Sequence, residues 1–326
     1  MKLLHISLIL SISLAFCGKD NSKTSEQTKI QTVQPHQKGI DAQVPGFNGS
    51  KAYSYLTAQT DFGPRVPGSR AHEKCIAYLQ KEMNKYADVV MLQPFSMTGY
   101  DNKTLTLNNL ISSFNLSATT RILLLAHWDS RPRSDQDPDP KKQIRPVSGA
   151  NDGASGVAVL LEIARCLKES KPNIGVDILF TDGEDYGKEG DTKNYLLGAQ
   201  YFAKNLPDGF RPAFGILLDM IGDAQLEIRK ERYSLNFAPD IVDLIWSTAR
   251  DLGVQQFSDN RQGWVTDDHL PLNNAGIKTI DLIDFNYPDE TNRYWHTTED
   301  TPDKCSPESL EAVGTVLLHV IYQYKP

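Results

Sequence analysis

Short apolar runs alternate with amphipathic stretches along most of this chain. Ile122 to Ala126 is wholly apolar with no helical period, and residues 176–181 (VDILFT), 214–220 (FGILLDM) and 277–285 (IKTIDLIDF) repeat the pattern. Such runs suit strands buried on both faces. Residues 89–97 (VVMLQPFSM) and 108–114 (NNLISSF) predict two more strands upstream. Between them lie helical stretches. In 68–86, Cys75, Ile76, Leu79 and Met83 fall on one face, and in 156–170 Val157, Leu160, Leu161, Ala164 and Leu167 do. Residues 194–206, 238–253 and 306–324 read as further helices. Ser306 is placed to cap the last, and Glu308 and Glu311 favour its positive end. Strands alternating with helices predict an α/β sheet covered on both faces. A proline-laden stretch, 131–149, is predicted as a long loop of functional length.

The N-terminus breaks this rhythm. Lys2 precedes the short apolar stretch 3–16, and Cys17 follows it directly. The expectation is a lipoprotein-type signal over 1–17 with Cys17 as the acylated anchor; the alternative is an ordinary cleaved signal in which Cys17 is incidental. Either way the chain is expected to be exported, to the periplasm or cell surface, and to meet a membrane only through a lipid. Residues 18–50 are polar and read as a disordered tether, leaving 51–326 as a single catalytic α/β domain. Three cysteines remain, Cys75, Cys166 and Cys305. They lack metal spacing, and an odd number cannot all pair. Cys75 and Cys166 fall in helical stretches and read as small buried hydrophobes. A net charge of −7 without a Lys/Arg patch argues against nucleic acid as a partner.

The candidate chemistry lies where the apolar runs stop. The first ends on His127 and Asp129, the second on Asp182, Glu184 and Asp185, the third on Asp219, and the fourth on Asp281 and Asp284, shortly before His296. Asp152 sits in a Gly/Ala-rich turn opening a helix. Ligands of open α/β sheets bind beyond the carboxyl ends of the strands. Acids gathered there repel one another unless a cation sits among them. Imidazole and carboxylate together suit zinc. Any one of these acids alone reads better as a turn or cap residue; five such segments in one chain point to a metal site.

The succession HWDS, GANDGASG, DGED, LLDM, TDDHLP and WHTTEDT resembles the zinc-dependent exopeptidase superfamily, and within it the glutaminyl cyclases of the bacterial, animal-like type, from about Tyr53 to Tyr324. The resemblance implies a three-layer αβα fold around a central mixed, mostly parallel twisted sheet. It implies one Zn2+ held by Asp152, Asp185 and His296, with Glu184 as general acid/base, its proton affinity raised by a neighbouring Asp219. Asp267 would help form a hydrogen-bonded floor, and Trp295 a wall of the substrate pocket. The substrates implied are peptides or proteins with an N-terminal glutamine, the product is pyroglutamate with release of ammonia, and a monomer is expected. His127 and Asp129 are left with two roles. They surround the metal as hydrogen-bonding neighbours if one ion binds; if two bind, His127 is a ligand and Asp129 orients it. The alternatives are a two-zinc aminopeptidase of the same superfamily and, from another class, a non-catalytic surface lipoprotein that only binds.

Overall fold

The computed structural model describes residues 43–325. The predicted signal over 1–17 with Cys17 as its expected anchor, and the predicted tether as far as residue 42, lie outside the described residues. The strands are β1 (Val89–Thr98), β2 (Thr104–Phe114), β3 (Arg121–His127), β4 (Gly175–Thr181), β5 (Gly215–Asp219), β6 (Ile228–Lys230), β7 (Phe257–Arg261) and β8 (Thr279–Ile283). The helices are α1 (Gly49–Thr60), α2 (Arg70–Met83), α3 (Ala154–Glu169), α4 (Leu197–Lys204), α5 (Arg232–Phe237), α6 (Pro239–Leu252), α7 (His269–Asn274) and α8 (Pro307–Gln323).

Six strands form one sheet in the order β1-β2-β4-β3-β5-β8. β4, β3, β5 and β8 run parallel, and β1 and β2 extend the sheet antiparallel from β4. Alternation along the strands sorts the core into two layers. Ile122, Leu124 and Ala126 of β3 face α1, α3, α6 and α8, while Leu123 and Leu125 face α4 and α7. Each such leucine contributes about 2 kcal/mol by leaving water. The fold is therefore the mixed, mostly parallel αβα arrangement. α3 is apolar almost all round, with only Arg165, Lys168 and Glu169 outside its buried set. It can lie this close to the sheet because Gly156 carries no side chain: a Cβ there would stand 2.2 Å from the Leu218 carbonyl oxygen.

Most predicted elements stand within two or three residues of their expected ends. Ser306 caps α8 by accepting from the Ser309 N–H at 3.1 Å. Cys75, Cys166 and Cys305 are buried free thiols. Three differences matter. The end of the predicted tether is part of the fold: Phe47 is buried against Gly314, and Asn48 caps α1 through the Lys51 N–H at 2.8 Å. β2 begins at Thr104, because residues 104–107 pair with Phe95–Thr98 of β1. Helices α1, α5 and α7, and the parallel ribbon of β6 and β7, went unforeseen. Among the described residues no helix is long and apolar enough to cross a membrane.

Candidate active site

The carboxyl ends of β3, β4, β5 and β8 open into a cavity of about 670 Å3 lined by Asp152, Glu184, Asp185, Asp219, Asp267, Phe285, Trp295 and His296, among others. Five of the six quoted segments line it, and the sixth, HWDS, lies directly behind, with His127 against Asp152 and Asp219. β3 ends on His127, and the following residues carry the chain over the sheet. Asp129 is fully buried, and its carboxylate accepts the backbone N–H groups of Glu184 at 3.1 Å and Asp185 at 3.3 Å. Its first task is thus to fix the acidic turn after β4. Its nearer oxygen also stands 3.5 Å from His127 Nδ1.

Two triads share one carboxylate. Ligand atoms of Asp152, Asp185 and His296 lie within 4.8 Å of one another, and so do those of His127, Asp152 and Asp219. Asp152 Oδ1 is 3.0 Å from His127 Nε2, and Asp152 Oδ2 is 3.6 Å from His296 Nε2. His296 Nε2 stands 3.4 Å from Asp185 Oδ1, and His127 Nε2 stands 3.2 Å from Asp219 Oδ1. Asp219 therefore has His127 as a close partner. β5 delivers Asp219 beside the β3 terminus, with Leu217 in register with Leu125, and Asp219 and Glu184 line the same cavity.

Backbone geometry is committed to these positions. Gly153 follows Asp152, and a Cβ there would lie 2.3 Å from His127 Nε2, so no side chain fits. His296 adopts a left-handed backbone at φ +54°, as does Met220 at +49°. Each such residue costs about 1–2 kcal/mol, and such costs cluster at functional sites.

Charge follows burial and neighbours. Burial pushes Glu184 well above the usual carboxylate range, with Asp185, Asp267 and Asp268 adding to it. Asp185 is also pushed well up by burial, against the pull of Arg131. Asp267 rises through burial and through Asp219 and Asp268. Burial, aided by Arg131 and Arg133, pushes the His296 imidazole well down, so it stays neutral and its nitrogen lone pair stays free. Burial opposes a charge on His127, but Asp219, Asp129 and Asp152 outweigh it and hold the imidazole well above its ordinary value.

The triad of Asp152, Asp185 and His296 fits a divalent metal. One nitrogen and two carboxylates are a donor set that zinc takes, and Asp185 Oδ2 is buried with no hydrogen-bond partner. A buried acceptor without a donor costs about 1–3 kcal/mol, which an ion would remove.

Several supporting residues escaped the sequence reading. Arg131, buried in the predicted loop, donates from Nη1 to Asp185 at 2.6 Å and grips Asp135 from Nε and Nη2. Asp135 Oδ1 in turn stands 3.9 Å from His296 Nδ1. The loop thus ties two residues of one triad together. Asp300 accepts the N–H groups of Asn151 at 2.8 Å and Asp152 at 3.2 Å, together with the Tyr287 hydroxyl. Asp268 accepts the Thr181 hydroxyl. The only sequence signal was proximity: Arg131 directly follows HWDS, Asp268 lies in TDDHLP and Asp300 in WHTTEDT. Trp295 stacks on the His296 ring at 3.7 Å and meets Phe285 at 5.1 Å, forming an aromatic wall.

Comparison with known proteins agrees with this geometry. Residues 109–321 match the family described as Peptidase family M28. A crystal structure of Bacteroides thetaiotaomicron glutaminyl cyclase bound to N-acetylhistamine is similar with a TM-score of 0.83 at 43% identity, over 86% of this chain and 100% of that one. A Zn-dependent exopeptidase from Parabacteroides distasonis is similar at 0.83 and 42%, over 86% and 100%. The bovine (Bos taurus) glutaminyl-peptide cyclotransferase is 25% identical over 302 residues, 80% of this chain and 78% of that protein.

Proposed function

The chain belongs to peptidase family M28, and from that premise we propose that it is a glutaminyl-peptide cyclotransferase. It closes the N-terminal glutamine of a peptide or protein to pyroglutamate and releases ammonia. The observation that carries this reading is the match along the whole of a solved glutaminyl cyclase. The acid, the metal-capable triad and the aromatic wall meet in one cavity of this chain.

Asp152, Asp185 and His296 hold one zinc ion in this reading. When bound, zinc supplies a Lewis acid for the γ-carbonyl of the glutamine and for the charge that gathers on its oxygen. The protein does the rest. Trp295 and Phe285 enclose the short side chain and keep it folded toward its own α-amine, and that proximity supplies much of the acceleration of an intramolecular attack. Glu184, partly buried and high in proton affinity, takes the proton from the attacking amine and returns it to the departing nitrogen. Asp267 and Asp219 border Glu184 and His127 and hold the remaining protons of the cluster. His127, already in contact with two carboxylates, offers its own positive charge where a second ion would otherwise sit, which supports a single metal.

One observation favours a second reading. His127, Asp152 and Asp219 also gather within ligand reach, as a two-zinc aminopeptidase would require. A third outcome is a surface protein that only binds. Incubating the purified chain from residue 18 with peptides beginning in Gln and in Leu, followed by mass spectrometry, separates the three. Loss of 17 mass units (about one ammonia) from the Gln peptides alone is expected. Removal of whole residues would establish the aminopeptidase, and no change with zinc bound would establish a binding role. The signal over 1–17, lipid attachment at Cys17, export and a monomeric state are part of the same proposal, and they rest on the sequence and the family resemblance.

A further inference from the structure

Beneath the acidic wall lies a second buried group that the proposed chemistry does not use. His269 opens α7 fully buried, and both of its ring nitrogens lack a hydrogen-bond partner. Nε2 stands 3.6 Å from Glu231 Oε2, and Nδ1 stands 3.9 Å from Asp281 Oδ2. Both Asp281 oxygens are buried without a partner as well. A bridging water needs its two partners about 4.5 Å apart, so these gaps are too short to hold one. Neither contact is a hydrogen bond at these distances, and each becomes one only if the side chains approach by about 0.5–1 Å.

The donors around Glu231 decide where the protons are. Glu231 caps α5 and accepts four hydrogen bonds: from the Tyr233 N–H at 2.7 Å, the Ser234 N–H at 2.6 Å, the Ser234 hydroxyl at 2.8 Å and the Val265 N–H at 3.2 Å. A carboxyl whose oxygens already accept four donors has no O–H left to give, and a bare lone pair on the facing nitrogen would meet those electron-rich oxygens. The ring nitrogen facing it must therefore carry the hydrogen. In a neutral imidazole the other nitrogen, Nδ1, is then an acceptor, and the group facing it must be a donor. Asp281 can donate only if it is protonated.

We propose that His269 and Asp281 are positioning residues that keep one proton in store beneath the catalytic wall. His269 is neutral with its hydrogen on Nε2 toward Glu231, and Asp281 is a neutral carboxylic acid that donates its O–H to Nδ1. The role rests on the cyclase reading; the proton placement does not. Burial pushes His269 down to about 3, and burial together with Asp267, Glu231, Asp219 and Asp268 pushes Asp281 well up. These acids, from β5, the cap of α5 and the start of α7, are the charged groups around the pair. A neutral Asp281 takes one negative charge out from under Asp267 and Asp219 and leaves Glu184 free to ionise at a lower pH.

The first test is nitrogen NMR of histidine-labelled protein, with the His269 signals identified by their absence in His269→Gln. The signature of a neutral, Nε2-protonated ring is expected unchanged from pH 5 to 9. An imidazolium, or a hydrogen on Nδ1, overturns the proposal. The second is a rescue. Asp281→Leu removes the donor and is expected to lower kcat/KM about tenfold. Asp281→Asn places an N–H2 where the acid carries its O–H. It should recover most of that loss, with the acid limb of the pH profile where the parent protein has it. If Asp281 were a carboxylate, Asp281→Asn would delete a charge and move that limb down by about one unit. The NMR spectrum needs no turnover, so a chain that fails to cyclise glutamine overturns the preceding reading while this one is still decided by its own signals.

Discussion

The two triads that share Asp152 differ in how much room they leave. Around His127 the imidazole nitrogen is 3.0 Å from Asp152, an ion-pair distance, and 3.2 Å from Asp219, with which it shares a hydrogen bond. Around His296 the corresponding distances are 3.6 Å and 3.4 Å. Ligands about 2.0–2.1 Å from a tetrahedral ion sit about 3.3 Å apart, which matches the second triad. The charges agree with the distances: His127 is pushed up by its acids, and His296 is pushed down by burial and two arginines. The same residue types at the ends of neighbouring strands thus form a tight imidazole–carboxylate cluster in one place and a more open set with ligand spacing in the other.

Substitutions can break this contrast. His296→Ala should have the largest effect, abolishing stoichiometric zinc and lowering cyclisation by about 10^3 or more; zinc analysis and turnover of a Gln peptide read both, and retained metal would put the ion elsewhere. Glu184→Gln should keep the zinc and lower kcat by about 10^2–10^4, and loss of metal in this variant would make Glu184 a ligand. His127→Ala should keep one zinc per chain and lose about tenfold in rate. Joint loss of metal and activity there would instead favour the two-ion enzyme.

A smaller effect sharpens the electrostatic side. Burial pushes Asp268 and Asp300 each up to about 7, whereas unfolded aspartates titrate near 4 (roughly 3.9). A carboxyl raised in the folded state costs stability once the pH passes its unfolded value, and the cost is complete above the folded one. His72, raised by Asp182 against its burial, has the same sign, since its contribution fades as pH rises. Chelated protein should therefore melt about 5 °C lower at pH 8 than at pH 5, with zinc flattening the slope. A melting temperature that rises across this window would contradict the acid cluster described here.

The sequence displayed the parts of this site that sit at strand ends. An apolar run with no helical period marks a strand, and the polar residue that stops it must lie at the sheet's rim, so His127, Glu184, Asp185 and Asp219 could be placed together without coordinates. Arg131, Asp135 and Asp300 could not. They act through loop geometry, and nothing in local periodicity says that an arginine in a proline-rich loop will turn inward onto Asp185. His269 was hidden for a related reason: six-residue α7 is too short to show a period, and its partners come from distant β8 and the cap of α5. Helix α1 was missed because its buried positions include Gly49 and Gln59, so its pattern is faint. Gln59 earns its burial by donating to the Ala154 carbonyl across the core, a contact between residues far apart in the chain.

The stack of Trp295 on His296, 3.7 Å apart and inclined by 22°, gives the protein an optical readout of its own. Indole emission responds to the electron demand of a ring lying against it, and an imidazole bearing a cation draws more than a neutral one. If His296 takes an ion, its loading and unloading are expected to change the ultraviolet fluorescence of the unlabelled protein. Trp128, stacked at 4.3 Å on His72, whose ring is held by Asp182, supplies a second indole–imidazole pair outside the two triads.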